Sequence, residues 1–117
     1  MLGLTFKPNT DDLRESPAMA ILNGLLEAGA RVRAYDPAVI KKLAEQSRQD
    51  VTYCQDEYEA AEGADALVLA TEWNQFRGLD LDRLKEALNG HVFVDLRNVY
   101  EPETLRSQGF HYTGVGR

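Results

Sequence analysis

Hydrophobic positions along this chain switch repeatedly between a period of two and a period near 3.6, and each switch marks a change from strand to helix. Leu2-Gly3-Leu4-Thr5-Phe6 reads as a first strand beginning directly at Met1, with fewer residues of approach than a strand usually has, as if the run had been cut. Ser16 ahead of Pro17 supplies a cap and a first helical residue. Ala18, Ile21, Leu22 and Leu25 then recur at helical spacing, Leu26 widens the stripe, and Gly29 stands where a left-handed stop costs little. Arg31-Val32-Arg33-Ala34-Tyr35 alternates like a half-buried strand, and Asp36-Pro37 starts a second helix over about residues 37–46. Further along, Val51–Tyr53 is a short strand, Asp56–Glu62 a short acidic helix, and Ala66–Ala70 an uninterrupted apolar run suited to a strand covered on both faces. Leu79–Leu88 is a helix ended by Asn89-Gly90, Val92–Asp95 a strand, Pro102–Ser107 a helix, and Phe110-His111-Tyr112 a final edge strand. Strands alternating with helices predict a three-layer, doubly wound, Rossmann-like α/β domain, with a mostly parallel sheet of five or six strands and right-handed crossovers.

Composition narrows this picture. With 117 residues and 44% apolar side chains, the chain suits a single domain over residues 1–117 and is too apolar for a disordered tail. No apolar run approaches the ~20 residues that span a bilayer, and no charged start leads into an apolar stretch, so a cytoplasmic location is expected. The lone Cys54 excludes an internal disulfide, and with only His91 and His111 beside it no metal-ligand spacing exists, so no metal is expected. Thirteen basic against 19 acidic residues give a net charge of −6, which disfavours nucleic acid or an anionic membrane as a partner. Any local gathering of cations therefore needs a local reason.

Such a gathering is predicted. In an open parallel sheet, ligands collect beyond the carboxyl ends of the strands, where strand order reverses. Lys7 and Arg14 follow the first strand and Arg97 follows Val92–Asp95, so three cations converge on one edge near a helix start at Ser16-Pro17. An anion such as phosphate would suit that edge. The alternative is that these are solvated charges or ion pairs with Asp11, Asp12 and Asp95. The first strand-to-helix connection lacks G-x-G-x-x-G and is too long for the tight dinucleotide turn, so the domain is not itself an NAD-binding half. Asp36 is then a cap for the Pro37 helix rather than a ribose ligand. A phosphoacceptor receiver domain is disfavoured, because Asp11 and Asp12 lie beyond the strand tip and Arg97 stands where that chemistry wants a lysine. Cys54 has nothing near it in sequence to activate a thiol, and Trp73 with Phe76 either packs a helix on the sheet or faces a partner domain.

The segment Gly3-Leu4-Thr5-Phe6-Lys7-Pro8-Asn9-Thr10-Asp11-Asp12-Leu13-Arg14-Glu15-Ser16-Pro17 resembles the opening of the C-terminal domain of the UDP-glucose/GDP-mannose dehydrogenases. Ala34-Tyr35-Asp36-Pro37, Ala64-Asp65-Ala66-Leu67, Thr71-Glu72-Trp73-Asn74-Gln75-Phe76, Asp95-Leu96-Arg97-Asn98 and Gly114-Val115-Gly116-Arg117 are similar to that domain in the same order. The resemblance covers essentially the whole chain. It implies part of an enzyme that oxidises the primary alcohol of a UDP-sugar to a carboxylate in two NAD-dependent steps, through covalent adducts of a cysteine. NAD is expected on a separate N-terminal domain, and dimerisation, as a homodimer or higher, on a long central helix. Both would be absent from this chain, as would the Gly-rich Cys-Phe-Pro motif that Cys54 does not match.

Matched residue by residue, the resemblance gives Phe6, Lys7 and Arg97 as contacts to the UDP-sugar and Arg14 as the arginine reaching across a cleft toward NAD. Leu96 stands where the family often has glycine. The same domain of a GDP-mannose or UDP-N-acetyl-hexosamine dehydrogenase is the nearest alternative. A stand-alone binding module without catalysis is an alternative of another class.

Overall fold

The computed structural model describes residues 1–14, 16–39 and 50–116. In chain order the elements are α1 (Pro17–Glu27), β1 (Val32–Ala34), β2 (Val51–Tyr53), α2 (Glu57–Ala61), β3 (Ala66–Leu69), a 3-10 turn (Asn74–Phe76), α3 (Leu81–Ala87), β4 (Val92–Asp95), α4 (Pro102–Ser107) and β5 (His111–Gly114). Helices α1, α2 and α3 start where side chains take up free amides: Ser16, Asp56 and Asp80 each accept from the third residue beyond. Of the helix predicted over residues 37–46, Pro37–Val39 form a turn, and the remainder lies outside the described residues.

All strand pairings are parallel. β1 pairs with β2, and β4 lies between β3 and β5. The N-terminal segment joins these two groups through parallel bridges from Leu2 to Tyr35 and to Leu69. On one side Leu2 donates to the Val68 carbonyl (2.7 Å) and accepts from Ala70 N–H (2.8 Å). On the other, Tyr35 N–H donates to Met1 O (3.0 Å) and Gly3 N–H to Tyr35 O (2.9 Å). The sheet therefore runs β2, β1, residues 1–3, β3, β4, β5, which is the doubly wound order with its reversal at the N-terminal segment.

The expected strand over Leu2–Phe6 stops early. Beyond Gly3, the amides of Leu4 and Thr5 donate to the Asp36 carboxylate instead of to a neighbouring strand (2.8 and 3.2 Å), and the chain bends outward at residues 5–7.

Side chains along β1 establish the layers. Val32 and Ala34 pack with Leu4, Ala18 and Leu22 beneath α1. Arg33 instead donates to the Glu59 carbonyl of α2 (2.9 and 3.1 Å), and Tyr35 joins the cluster of Leu67, Leu69, Phe93, Leu84 and Leu105, so α1 and α2 cover opposite faces. On the second face Phe93 is the centre of an aromatic group with Tyr100, Phe110 and Tyr112, at centroid separations of 5.6–6.0 Å. The expectation that Ala66–Ala70 is covered on both faces holds only at its end, where Leu69 and the following Ala70 are buried in opposite clusters. Leu67 and Leu69 are fully buried, whereas Val68 is half-buried and Ala66 exposed. β4 repeats this with Phe93 buried and Val92 exposed, because among the described residues α1 covers its face only toward the β1 side.

Gly3 closes the centre of the sheet. Its φ is +93°, and a Cβ there would lie 2.5 Å from Thr71 Cβ and 2.7 Å from Thr71 N. Gly29, at φ +91°, has nothing within 4 Å of the same position. Gly3→Ala is therefore expected to lower stability by roughly 2–4 kcal/mol, from strained backbone plus overlap, and Gly29→Ala by about 1–2 kcal/mol from the backbone alone. Urea midpoints of the two variants check this; equal losses would remove the close approach as the cause.

Candidate functional site

The carboxyl ends of the central strands meet at one buried carboxylate. Asp36 is fully buried. Its Oδ2 accepts from the amides of Leu4 and Thr5 and from Trp73 Nε1 (3.2 Å), and lies 3.3 Å from Thr5 Oγ1; its Oδ1 accepts from Ala38 N–H (2.8 Å). One Asp36 oxygen thus takes the Ala38 amide in the turn after β1 while the other gathers two further loops; the helix that Asp36 was expected to cap lies largely outside the described residues. Thr5 is buried with it: its hydroxyl is 3.0 Å from the Lys7 carbonyl, and its own carbonyl accepts from the Thr71 hydroxyl (2.9 Å). Trp73 is half-buried and packs here, and Phe76 is fully buried edge-on to Tyr35.

A second buried carboxylate organises the loop after β4. Asp95 accepts from the amides of Arg97 (3.2 Å) and Tyr100 (2.9 Å) and from the Tyr112 hydroxyl (2.8 Å). Asn98, in the left-handed region at φ 52°, exchanges two hydrogen bonds with the Val115 backbone, both 2.9 Å, tying this loop to the one after β5. Tyr100 donates to the Phe76 carbonyl and accepts from Leu79 N–H (3.2 Å), which fixes the segment leading into α3. Burial, ahead of its other surroundings, pushes the Tyr100 phenol up to about 12.

The residues expected to bind an anion lie on these loops. Phe6, 45% exposed, and exposed Lys7 occupy the bend directly after Thr5. Arg97 lies two residues beyond β4, on the same edge, with β3 between; two strand spacings amount to ~10 Å. Its Nε donates to Glu72, the residue after Thr71. Arg14 hangs from the neck of the first loop, where Phe6 N–H donates to Asp12 O (2.9 Å), but its guanidinium turns back onto the Asp12 carboxylate (3.1 Å) and its side chain is 88% exposed. Hydrogen bonding to Asp12, then the Asp12 charge, raises the Arg14 pKa further. Of the ion pairs weighed from sequence, Arg14 with Asp12 is present. Arg97 pairs instead with Glu72, an acid two residues beyond Ala70 whose nearness to Arg97 no sequence spacing signals. A cavity of about 370 Å³ is formed by Thr10–Arg14, and a larger one of about 1030 Å³ opens at the opposite, amino-terminal edge, between Val32, Arg33, Ala66 and Val68.

Other chemistry is less well served. Cys54 is fully buried, and burial pushes its thiol up rather than toward thiolate. Among the described residues no group of three or more His, Cys, Asp or Glu is arranged to hold a metal, and no helix is long and apolar enough to cross a membrane. The described residues do not fit a resident dinucleotide. Gly3, the one glycine ahead of the first helix, lies in the sheet packed on Thr71, and the helix that follows is capped by Ser16, whose hydroxyl also donates to Leu4 O (2.8 Å).

Comparison with known proteins gives the same domain. The model of the UDP-glucose/GDP-mannose dehydrogenase family, UDP binding domain, matches residues 1–102. The chain is 50% identical over 117 residues to the UDP-glucose 6-dehydrogenase of Rhizobium meliloti, covering 100% of this chain and 26% of that protein. It is 45% identical over 120 residues to the enzyme of the same name from Pseudomonas aeruginosa, covering 98% and 26%. Among solved structures it is similar to the NDP-N-acetyl-D-galactosaminuronic acid dehydrogenase of Methanosarcina mazei (TM-score 0.84, 32% identity, 100% of this chain and 24% of that one). It is also similar to a UDP-glucose dehydrogenase of Pyrobaculum islandicum (TM-score 0.74, 37% identity, 97% and 24%). The chain thus spans about a quarter of the length of the curated relatives it matches.

Two expectations follow from the carboxylate networks. Asp36→Ala leaves buried amides without an acceptor, and Asp36→Asn turns an amino group toward N–H donors, so each is expected to cost roughly 2–4 kcal/mol by urea unfolding. A loss under about 0.5 kcal/mol would contradict the network. The raised Tyr100 pKa makes its stabilising contribution complete below pH 10 and lost as pH rises toward 12, since the unfolded chain ionises first. Tyr35 is raised in the same sense. Tyr100→Phe should therefore flatten, without abolishing, the alkaline fall in melting temperature over that window; an unchanged slope would contradict the assignment.

Proposed function

The chain belongs to the UDP-glucose/GDP-mannose dehydrogenase family as its UDP-binding domain, and from that premise we propose that it is the nucleotide-sugar-binding domain of a UDP-glucose 6-dehydrogenase. Identity at half of all positions, along the full chain, to an enzyme of that name is the main support. Phe6, Lys7 and Arg97 are the substrate contacts. Arg97 presents a planar fork suited to two phosphate oxygens, Lys7 acts as a movable point charge, and the exposed Phe6 ring lies beside it. Arg14, on the same loop, leaves the Asp12 carboxylate that it pairs with in this chain to reach across a cleft toward NAD, which is held by an N-terminal domain of the parent enzyme. A long central helix in that enzyme carries the dimer contact.

The chemistry then divides between domains. Oxidation of the sugar alcohol requires electrophile, thiolate and hydride acceptor in one place. The chain supplies a grip on the diphosphate, and its one thiol is sealed in the core. Its likeness to an N-acetyl-hexosaminuronic acid dehydrogenase favours a second reading, in which the parent enzyme oxidises a UDP-N-acetyl-hexosamine.

Calorimetric titration of the 117-residue chain with UDP tests the binding role. UDP is expected to bind in preference to GDP, with Lys7→Ala and Arg97→Ala each weakening it roughly tenfold to a hundredfold. Unchanged affinity in both variants would remove them from the site. With UDP-glucose and NAD together the chain is expected to form no NADH, and absorbance rising above a blank would contradict the division of labour.

A further inference from the structure

We propose that Glu72 is a positioning residue for Arg97, orienting its guanidinium so that the two terminal nitrogens face the rim. The pairing of Nε with Glu72 is observed in the fold; its consequence for a diphosphate rests on the binding function proposed above. A guanidinium has five N–H donors in a rigid fork, and whichever edge is occupied fixes where the others point. Glu72 takes Nε, and the terminal nitrogens have no partner among the described residues. That free end matches two oxygens of one phosphate.

Both partners are anchored independently. Glu72 lies between Thr71, whose hydroxyl donates to Thr5 O (2.9 Å), and Trp73, whose indole N–H reaches Asp36 (3.2 Å). Arg97 is held through its own amide by Asp95, and its neighbour Asn98 is clamped to Val115. The acid is the more enclosed partner, with its side chain 23% exposed against 37% for Arg97. An ion pair between two long, free side chains would sacrifice rotamer freedom for little gain. Here the backbones are fixed already, so the pair's effect is to choose one orientation.

The opposite role is physically distinct: an acid that merely competes with phosphate for Arg97 would weaken anion binding by its charge. Two measurements on the 117-residue chain separate the roles. In heteronuclear NMR, the Arg97 Nε–H signal is expected to be slow to exchange, to become averaged with solvent in Glu72→Ala, and to be retained in Glu72→Gln, which keeps an oxygen acceptor. In UDP titrations Glu72→Ala is expected to weaken binding about tenfold, Glu72→Gln less than threefold, and Glu72→Ala to add nothing in an Arg97→Ala background. An Nε–H signal indifferent to Glu72→Ala overturns the orientation, as do tighter UDP binding by that variant or an equal loss with and without Arg97. Failure of the unsubstituted chain to bind UDP overturns the binding function instead, while the Nε–H signal still decides the role of Glu72.

Discussion

A carboxylate with no exposed surface must be surrounded by donors, and Asp36 meets that requirement by drawing on three separate stretches of chain. Its partners are the amides that end the N-terminal strand, the amide that opens the turn after β1, and the indole that follows β3. In a parallel sheet, the loops beyond the carboxyl ends have no ladder to hold them together. Here one side chain does so. It also decides where the central strand ends, because the amides of Leu4 and Thr5 point at it and cannot extend pairing, so the chain must leave the sheet at Phe6 and Lys7.

Asp95 repeats the device one strand further out, and the two carboxylates are coupled through Tyr100. That tyrosine donates its amide to Asp95 and bonds through its hydroxyl to Phe76 O and Leu79 N–H, in the segment that Trp73 begins. The carboxyl edge is therefore a continuous polar network laid over the aromatic group around Phe93. The amino edge contrasts with it: there the sheet opens into its larger cavity between β1 and β3.

The parts of this arrangement visible in the sequence are those fixed by near neighbours. α1 was legible because its cap, proline and apolar stripe lie within one short segment, and β4 because Val92–Val94 is a short run of β-branched and aromatic residues. Two-sided burial of Ala66–Ala70 was not, since it depends on which helices cover the far face. The extent of the first strand was misjudged for a related reason. Alternation of Leu2, Leu4 and Phe6 is genuine, but the group that captures the Leu4 amide is 32 residues away. Range also separates the two arginines. The partner of Arg14 is two residues off and was among the alternatives, whereas Glu72 is 25 residues from Arg97 and became visible only once β3 and β4 were side by side. At Leu96, where the family often carries glycine, the loop manages without one because the left-handed residue is Asn98.

These features bear on how a chain of net charge −6 would hold the anion proposed for it. Long-range repulsion works against the encounter, so attraction has to come from contacts within hydrogen-bond distance, where a well-aimed donor outweighs distant like charges. Short-range contacts depend steeply on placement, and a side chain on a mobile loop would lose most of the benefit to ordering entropy. The buried acids supply the missing rigidity: they contribute to the unfavourable net charge, yet their lone pairs are directed at the backbone of the loops that carry Lys7 and Arg97. On this view the acidity of the domain and the diphosphate binding proposed for it do not conflict, because the same carboxylates that repel an anion at a distance hold in place the loops carrying the cations proposed to meet it at contact.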